Sequence, residues 1–444
     1  MLFEKLISQK IPVAPLIFFR VLFGFMMALG GVRFWAKGWI EEFYILPKFH
    51  FTYYGFEWVK ALPGTGMYWL FGALIILALM VAVGLFYRIA IIGFFLTFTY
   101  IELIDKTTYL NHYYFVSLIA FLMIWLPANS RFSFDCKLFK GIASHEVSAW
   151  TINIIKFQLC VVYFYAGLAK INPDWLLEAM PLKIWLPAKS HLPILGPYLK
   201  YEAAAYFFSW CGALYDLCIP FLLLGRKTRP FAFLMVVIFH VTTAILFPIG
   251  MFPYIMILST LIFFSSAFHE QVISFFENLL NVGRQYGYQT GNRPYRLIGF
   301  ALGTYCLIQL AFPFRYLAYP DHLFWHEQGY RFSWRVMLME KLGNVTFSVR
   351  DKASNKNFLV NNRDFLTPFQ EREMSTQPDM ILQFAHFLEE EYTSLGIQNP
   401  TVTAEGYVTL NGKMSQPFID NSVNLAAQKE SWANKSWILP YPNQ

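Results

Sequence analysis

Ala149-Trp-Thr-Ile-Asn-Ile-Ile-Lys-Phe-Gln-Leu-Cys-Val-Val-Tyr-Phe-Tyr-Ala-Gly-Leu-Ala-Lys170 decides the fold: it runs for the length of a membrane span and stops on a lysine. A stretch of about 20 apolar residues crosses the hydrocarbon core of a bilayer. The same reading applied outward gives candidate spans at 13–32, 66–87, 89–104, 111–127, 149–169, 203–224, 230–248, 251–267 and 296–313, nine in all. The expected fold is therefore an α-helical integral membrane bundle over 1–313, followed by a small α+β soluble domain over 314–444.

Composition agrees. Hydrophobic residues make up 56% of the chain, aromatics 19% and charged residues only 14%, where a soluble domain carries roughly a quarter charged residues. The mean hydropathy is +0.41. The net charge of +7 is spread over loops as scattered Lys and Arg, which suits the headgroup boundary of a lipid bilayer and lacks the basic stripe of a nucleic-acid binder. Cys136, Cys160, Cys211, Cys218 and Cys306 show no paired spacing, so they read as small buried residues. The first apolar run lacks an early small-residue cleavage site and is expected to stay as a helix.

Lys/Arg bias puts the N-terminus inside, with Lys5, Arg88, Arg131, Arg226, Arg284 and Arg293 on the cytoplasmic side. An odd helix count then delivers the C-terminal region to the opposite side. That region reads as a hairpin of 345–350 with 357–361, an amphipathic helix over 378–395, and short strands near 406–410 and 417–419 joined by the Asn411-Gly412 turn. The aromatic segment 33–65 is expected at the membrane interface.

Helix parity makes a sharper statement. Asn111 and His112 open the fourth span, Lys170 ends the fifth, and 247–252 joins the seventh to the eighth. All three should meet at the face that holds the soluble domain. Each residue has a plainer account: Lys170 as a snorkelling anchor, His112 as an interfacial histidine, and mid-span His240 packed on a neighbouring helix rather than facing a cavity. Arg20 within the first span needs a carboxylate or carbonyl partner inside the bundle. His322 and His326, with Glu327 beside them, have metal-ligand spacing but no third ligand visible in the sequence, so no metal site is assigned. There is no HExxH, GxSxG or P-loop pattern.

Several of these stretches, in this order, resemble the vitamin K-dependent gamma-glutamyl carboxylase family, whose membrane region is shared with bacterial HTTM proteins. They are Phe18-Phe-Arg-Val-Leu-Phe-Gly-Phe25, Gly84-Leu-Phe-Tyr-Arg-Ile89, Asp105-Lys-Thr-Thr-Tyr-Leu-Asn-His112 and Tyr163-Phe-Tyr-Ala-Gly-Leu-Ala-Lys170. Phe239-His240, Leu246-Phe-Pro-Ile-Gly-Met-Phe-Pro-Tyr254, Phe332-Ser-Trp-Arg-Val-Met337 and Trp437-Ile-Leu-Pro440 continue the match. The resemblance implies an enzyme that oxygenates reduced vitamin K, a lipophilic hydroquinone, with O2. It couples that step to deprotonation of the γ-carbon of glutamate in a polypeptide substrate and addition of CO2. It also implies Lys170 as the base acting on the hydroquinone, His112 in the carboxylation step with Asn111 in the same site, and Tyr163, His240, Met251, Phe252 and Met256 around the quinone. A base of this kind has to be a neutral amine, which burial favours. His326-Glu-Gln-Gly-Tyr-Arg331 departs from the animal pattern, as does the lack of equivalents for the animal enzyme's disulfide cysteines. Two other readings stay open: hydroquinone epoxidation without carboxylation, and a transporter or binding scaffold. The spans show no inverted repeat in favour of the scaffold.

Overall fold

A computed structural model of the chain describes residues 8–280 and 295–442. Lys5, Arg284 and Arg293, assigned to the cytoplasmic side above, lie outside the described residues. The helices of the first part are α1 (Ala14–Ala36), α2 (Gly66–Val83), α3 (Tyr87–Ile104), α4 (Asn111–Trp125), α5 (Trp150–Ala169), α6 (Glu202–Leu224), α7 (Arg229–Leu246), α8 (Phe252–Thr260), α9 (Ser266–Leu279) and α10 (Tyr295–Ala311). A short antiparallel pair, β1 (Lys10–Pro12) with β2 (Glu146–Ser148), ties the start of α1 to the start of α5.

The expected count of nine spans is not confirmed. Among the described residues seven helices are long and apolar enough to cross a membrane, or up to eight if the bent pair Phe252–Phe263 and Ser266–Leu279 is one span, with Asn111–Trp125 a shorter apolar helix beside them. These make the protein an integral membrane protein. Two segments fall short for identifiable reasons. Helix α4 has 15 residues, a rise of about 22 Å against about 30 Å of hydrocarbon. Its missing length is irregular backbone at Asp105–Leu110, which is tolerated at depth only when covered by protein, here by the C-terminal domain. The eighth apolar run breaks at Phe264–Ser265, and α9 turns away by 108°. The cysteine expectation is corrected: only Cys136 is buried, and Cys211 and Cys218 sit on the exposed side of α6.

Close packing between the first two helices comes from glycine. A Cβ on Gly24 would meet the backbone of α2 at Ala82 N, 2.4 Å away, and Ala78 O, 2.6 Å away, the small-residue approach that drives helix association in lipid. At one end of the bundle Arg20, fully buried, donates to Ala128 O at 2.9 Å and Phe132 O at 2.5 Å. Beside it Asp135 accepts from the amides of Phe86 and Tyr87 at 2.7 and 2.9 Å, satisfying donors left open at the start of α3. Arg131 on the same loop forks onto Glu277 of α9.

The C-terminal domain is a four-stranded antiparallel sheet with two helices. β3 (Lys341–Arg350) pairs with β4 (Asn357–Leu359) and, along its whole length from Lys341↔Leu410 to Arg350↔Thr401, with β5 (Thr401–Leu410); β6 (Gln416–Pro417) borders β5. Helix α11 (Pro368–Met374) opens with a Thr367/Gln370 capping box, and α12 (Pro378–Ser394) buries Ile381, Phe384, Ala385 and Leu388. The expected hairpin and helix are present. The long β3–β5 pairing was not read from the sequence.

The segment 33–65 does more than line an interface. Phe49 stacks against Phe387 at 4.6 Å, and fully buried Phe51 joins the same core. Asp105, 1% exposed, accepts from Thr107 N and Oγ1 on one oxygen, and lies 3.1 Å from His50 Nδ1 and 2.9 Å from Gln370 Nε2 on the other. Next to it Lys106 and Arg331 converge on Asp379 at 2.9 and 2.7 Å. Burial alone would raise the Asp379 carboxyl, but the Arg331 and Lys106 charges outweigh it and hold the group well below the usual carboxylate range.

Two outcomes follow from these contacts. Gly24→Ala should lower the thermal unfolding midpoint in detergent, by a cost of about 1–3 kcal/mol for overpacking. Gly30→Ala, which meets nothing within 4 Å, should leave the midpoint level or raise it. Asp379→Asn should destabilise the docked domain at neutral pH. Because its folded-state pKa is depressed, the wild-type advantage should hold constant from about pH 8 to 5 and shrink only as pH falls below the unfolded carboxylate value of about 3.9. Unfolding measured across that range, with a difference that peaks in acid, would contradict this.

Candidate active site

Two chambers meet beneath the C-terminal domain. The first, about 290 Å³, lies among α5, α6, α7 and α8 and is lined by Tyr163, Lys170, Asp216, His240, Phe252 and Met256 together with Trp175, Trp185, Tyr215 and Phe239. The second, about 660 Å³, lies between the start of α4 and the soluble domain, and Asn111, His112, Arg331 and Lys341 line it. Ile249, Phe252, Val336 and Met337 line both. The Phe252 ring stands 5.8 Å from His112 and 5.7 Å from His240. One aromatic side chain therefore touches a histidine of each chamber.

The Lys170 end of the first chamber is built by helix packing. Lys170 is the residue that caps α5, and its Nζ lies 2.7 Å from Asp216 Oδ2 and 3.2 Å from Ala166 O. The Trp175 ring lies 5.4 Å below the amine, fixed by its own Nε1 donating to Ser209 O at 2.9 Å. Both Lys170 and Asp216 are buried, so the snorkelling-anchor account of this lysine does not hold. Further along, His240 Nε2 is 3.0 Å from the Tyr163 hydroxyl, while its Nδ1 is buried without a partner among the described residues. An orphaned ring nitrogen in an aromatic chamber of this size, with an amine at one end, is a fit for a planar lipophilic ligand that carries oxygens at its edges.

The second chamber is polar. Asn111 uses both ends of its amide on the chain: Nδ2 donates to Arg335 O at 2.9 Å, and Oδ1 accepts from Tyr109 at 3.1 Å. The Tyr109 hydroxyl in turn accepts from Phe332 N at 2.7 Å. Asn111 is thus a bracket that fixes the Phe332–Arg335 turn against α4. His112 follows it, buried, with its ring against Tyr113 and Phe252 and no hydrogen bond among the described residues. Arg33, Lys106, Arg331, Arg335 and Lys341 outnumber Glu327 and Glu373 along the walls. Lys341 pairs with Glu327 at 2.8 Å, and burial still pushes its amine down.

All eight residues singled out from the sequence line one or other chamber: Tyr163, Lys170, His240, Phe252 and Met256 line the first, and Asn111 and His112 the second. Lys170 is thus parted from the two residues expected beside it, and Met251 does not join the first. It lines the second chamber, on the His112 side of Phe252. His322 stacks on Tyr441 and His326 accepts from Gln328 N at 2.9 Å. The residue that sequence reasoning missed is Asp216. It is the one acid within the apolar run 203–224, and a carboxylate at that depth is a signal for a partner or a pathway.

Comparison with known families agrees with this division. Residues 8–268 match the HTTM domain family, and residues 295–444 match the family described as vitamin K-dependent gamma-carboxylase, lumenal domain. No solved structure gives a significant match to the chain. A membrane bundle of the first kind, capped by a domain of the second and closing over a shared pair of chambers, means that the chain belongs to the vitamin K-dependent gamma-carboxylase family.

Proposed function

We propose that the protein is a vitamin K-dependent gamma-carboxylase, acting on glutamate in a polypeptide at the membrane boundary, with its active site and C-terminal domain on the non-cytoplasmic side. The observation that carries the reading is the shared wall: an apolar chamber with an amine and a polar cleft with a histidine are separated by Phe252 and its three neighbours. Reduced vitamin K, when bound, supplies through its oxygenation to the epoxide the driving force for removing a proton from the γ-carbon, where CO2 then adds.

The chain's own residues divide the labour. Tyr163, His240, Phe252 and Met256 hold the aromatic head of the hydroquinone, with His240 Nδ1 available to a ligand oxygen. Lys170 Nζ takes the hydroxyl proton. The apolar lining excludes water, which keeps a strongly basic species from being quenched. On the other side of Phe252, the excess of basic side chains favours an anionic glutamyl peptide and its more anionic product. His112 faces that side with no competing hydrogen bond, so it can exchange a proton during carboxylation. Asn111 holds its neighbouring backbone in place. The two-chamber layout also suits the supply routes: a lipid-soluble ligand comes from the bilayer and a peptide from water.

Purified protein in detergent, given reduced vitamin K, O2, bicarbonate and a glutamyl peptide, should yield both epoxide and carboxylated peptide. Epoxide alone would select hydroquinone oxidation without carboxylation, and neither product from folded protein would return the scaffold reading. Lys170→Ala should abolish both reactions. His112→Ala should reduce carboxylation by about 10²–10⁴-fold, the usual range for a proton-transfer group, and reduce epoxide formation far less. Equal losses of both products in His112→Ala would remove its separate role.

A further inference from the structure

We propose that Asp216 and Lys170 act as one proton-holding pair, in which Asp216 aims the amine into the apolar chamber and holds the pair's proton jointly with it. The inference rests on the reading of Lys170 as the proton acceptor. It starts from helix packing. A Cβ on Gly167 would meet Leu217 N at 2.7 Å and the Asp216 carbonyl carbon at 3.0 Å. Glycine there lets α6 pass close enough to α5 for the Asp216 carboxylate to reach a lysine one turn further on.

The contact is then closed on itself. Lys170 Nζ is 2.7 Å from Asp216 Oδ2, and among the described residues Asp216 accepts from no other side chain. Asp174, nearest in sequence, is turned away to Asn411 Nδ2 at 2.6 Å. The titratable groups that face the pair are Tyr163 from α5, Cys211 and Tyr215 from α6, and His240 from α7; α8 contributes Phe252 and Met256, and the soluble domain Val336 and Met337. No second cation or anion enters the chamber.

Two coupled groups so placed titrate as a unit. Before reaction the pair holds one proton between nitrogen and oxygen. A hydroquinone hydroxyl then gives up its proton, its O–H bond breaking with the electron pair left on oxygen. The pair now holds two protons, an ammonium beside a carboxylic acid, and its gain of one positive charge balances the oxyanion left in the chamber. The lysine therefore needs no prior discharge by solvent. In general, burial alone favours the neutral form of an amine, and an opposite charge within hydrogen-bond reach favours the charged form.

The test uses the full chain in detergent and an apolar amine-directed reagent such as fluorodinitrobenzene, with Lys170 labelling followed by peptide mass spectrometry against pH. Only the neutral amine reacts. The expected result is a labelling midpoint lower by about one pH unit or more in Asp216→Asn and restored in Asp216→Glu. Gly167→Ala, which retains both groups but pushes the helices apart, covers the case in which Asp216→Asn does not fold; it should shift the midpoint in the same direction. A wild-type midpoint in the folded variants, or no labelling of Lys170 at any pH, would overturn the proposal. A labelling shift without any hydroquinone oxidation would keep the pair and sink the carboxylase reading; oxidation without a shift would do the reverse.

Discussion

The structure depends on Asp105. This carboxylate is almost completely buried where α3 ends, and it reaches three separate pieces of chain: its own turn through Thr107, the 33–65 segment through His50, and the C-terminal domain through Gln370. A buried acid is tolerable only when its oxygens are satisfied, and here His50 and Gln370 come from elements that must be docked for the contact to exist. The adjacent Lys106 extends the same logic to Asp379 and Arg331. Docking the soluble domain closes the polar cleft, because Arg331, Arg335, Met339 and Lys341 line it together with Glu373 and Gln377 of the same domain. It also covers the irregular backbone that lets α4 begin late with Asn111 and His112 at its mouth.

From that constraint the contrast between the chambers follows. The apolar one is enclosed by four helices and keeps a single ion pair; the polar one is roofed by a water-soluble domain and carries many charges. Electrostatic effects of one buried charge are large in the first and screened in the second. Under the proposed function, proton abstraction from a lipophile belongs in the dry chamber and peptide handling in the wet one, with Phe252 as the partition between them.

Much of this was legible in the sequence. Apolar runs gave the helices to within a few residues, because membrane length is a strong constraint. The number of spans is less sharply defined, because α4 has only 15 helical residues and α8 bends at Ser265 into α9. The β3–β5 pairing, joining residues some sixty positions apart, leaves no local signal of its own. At the site, Lys170 and His112 were visible as costly residues in apolar surroundings, and Asp216 was visible by the same rule but passed over. Met251 is grouped with Phe252 by the resemblance of the Gly250-Met-Phe252 segment, whereas at the start of α8 it lines only the second chamber and Phe252 lines both.

Two of the buried cations of the membrane region, Arg20 and Lys170, differ in an instructive way. Arg20 is surrounded by carbonyl oxygens of the Ala128–Phe132 turn, with Asp135 nearby but committed to backbone amides and Asn129. A guanidinium stays charged under any condition the protein meets, so dipoles suffice to keep it and the result is a rigid clamp. Lys170 has one carbonyl and one carboxylate. An amine can lose its proton when buried, and a carboxylate can take one up. The pair can therefore change its proton count while its atoms stay where Gly167 and Trp175 put them. Exchanging the two residue types would leave a clamp that discharges and a site that cannot. The choice of arginine at one end of the bundle and lysine at the other is a division between holding shape and moving a proton.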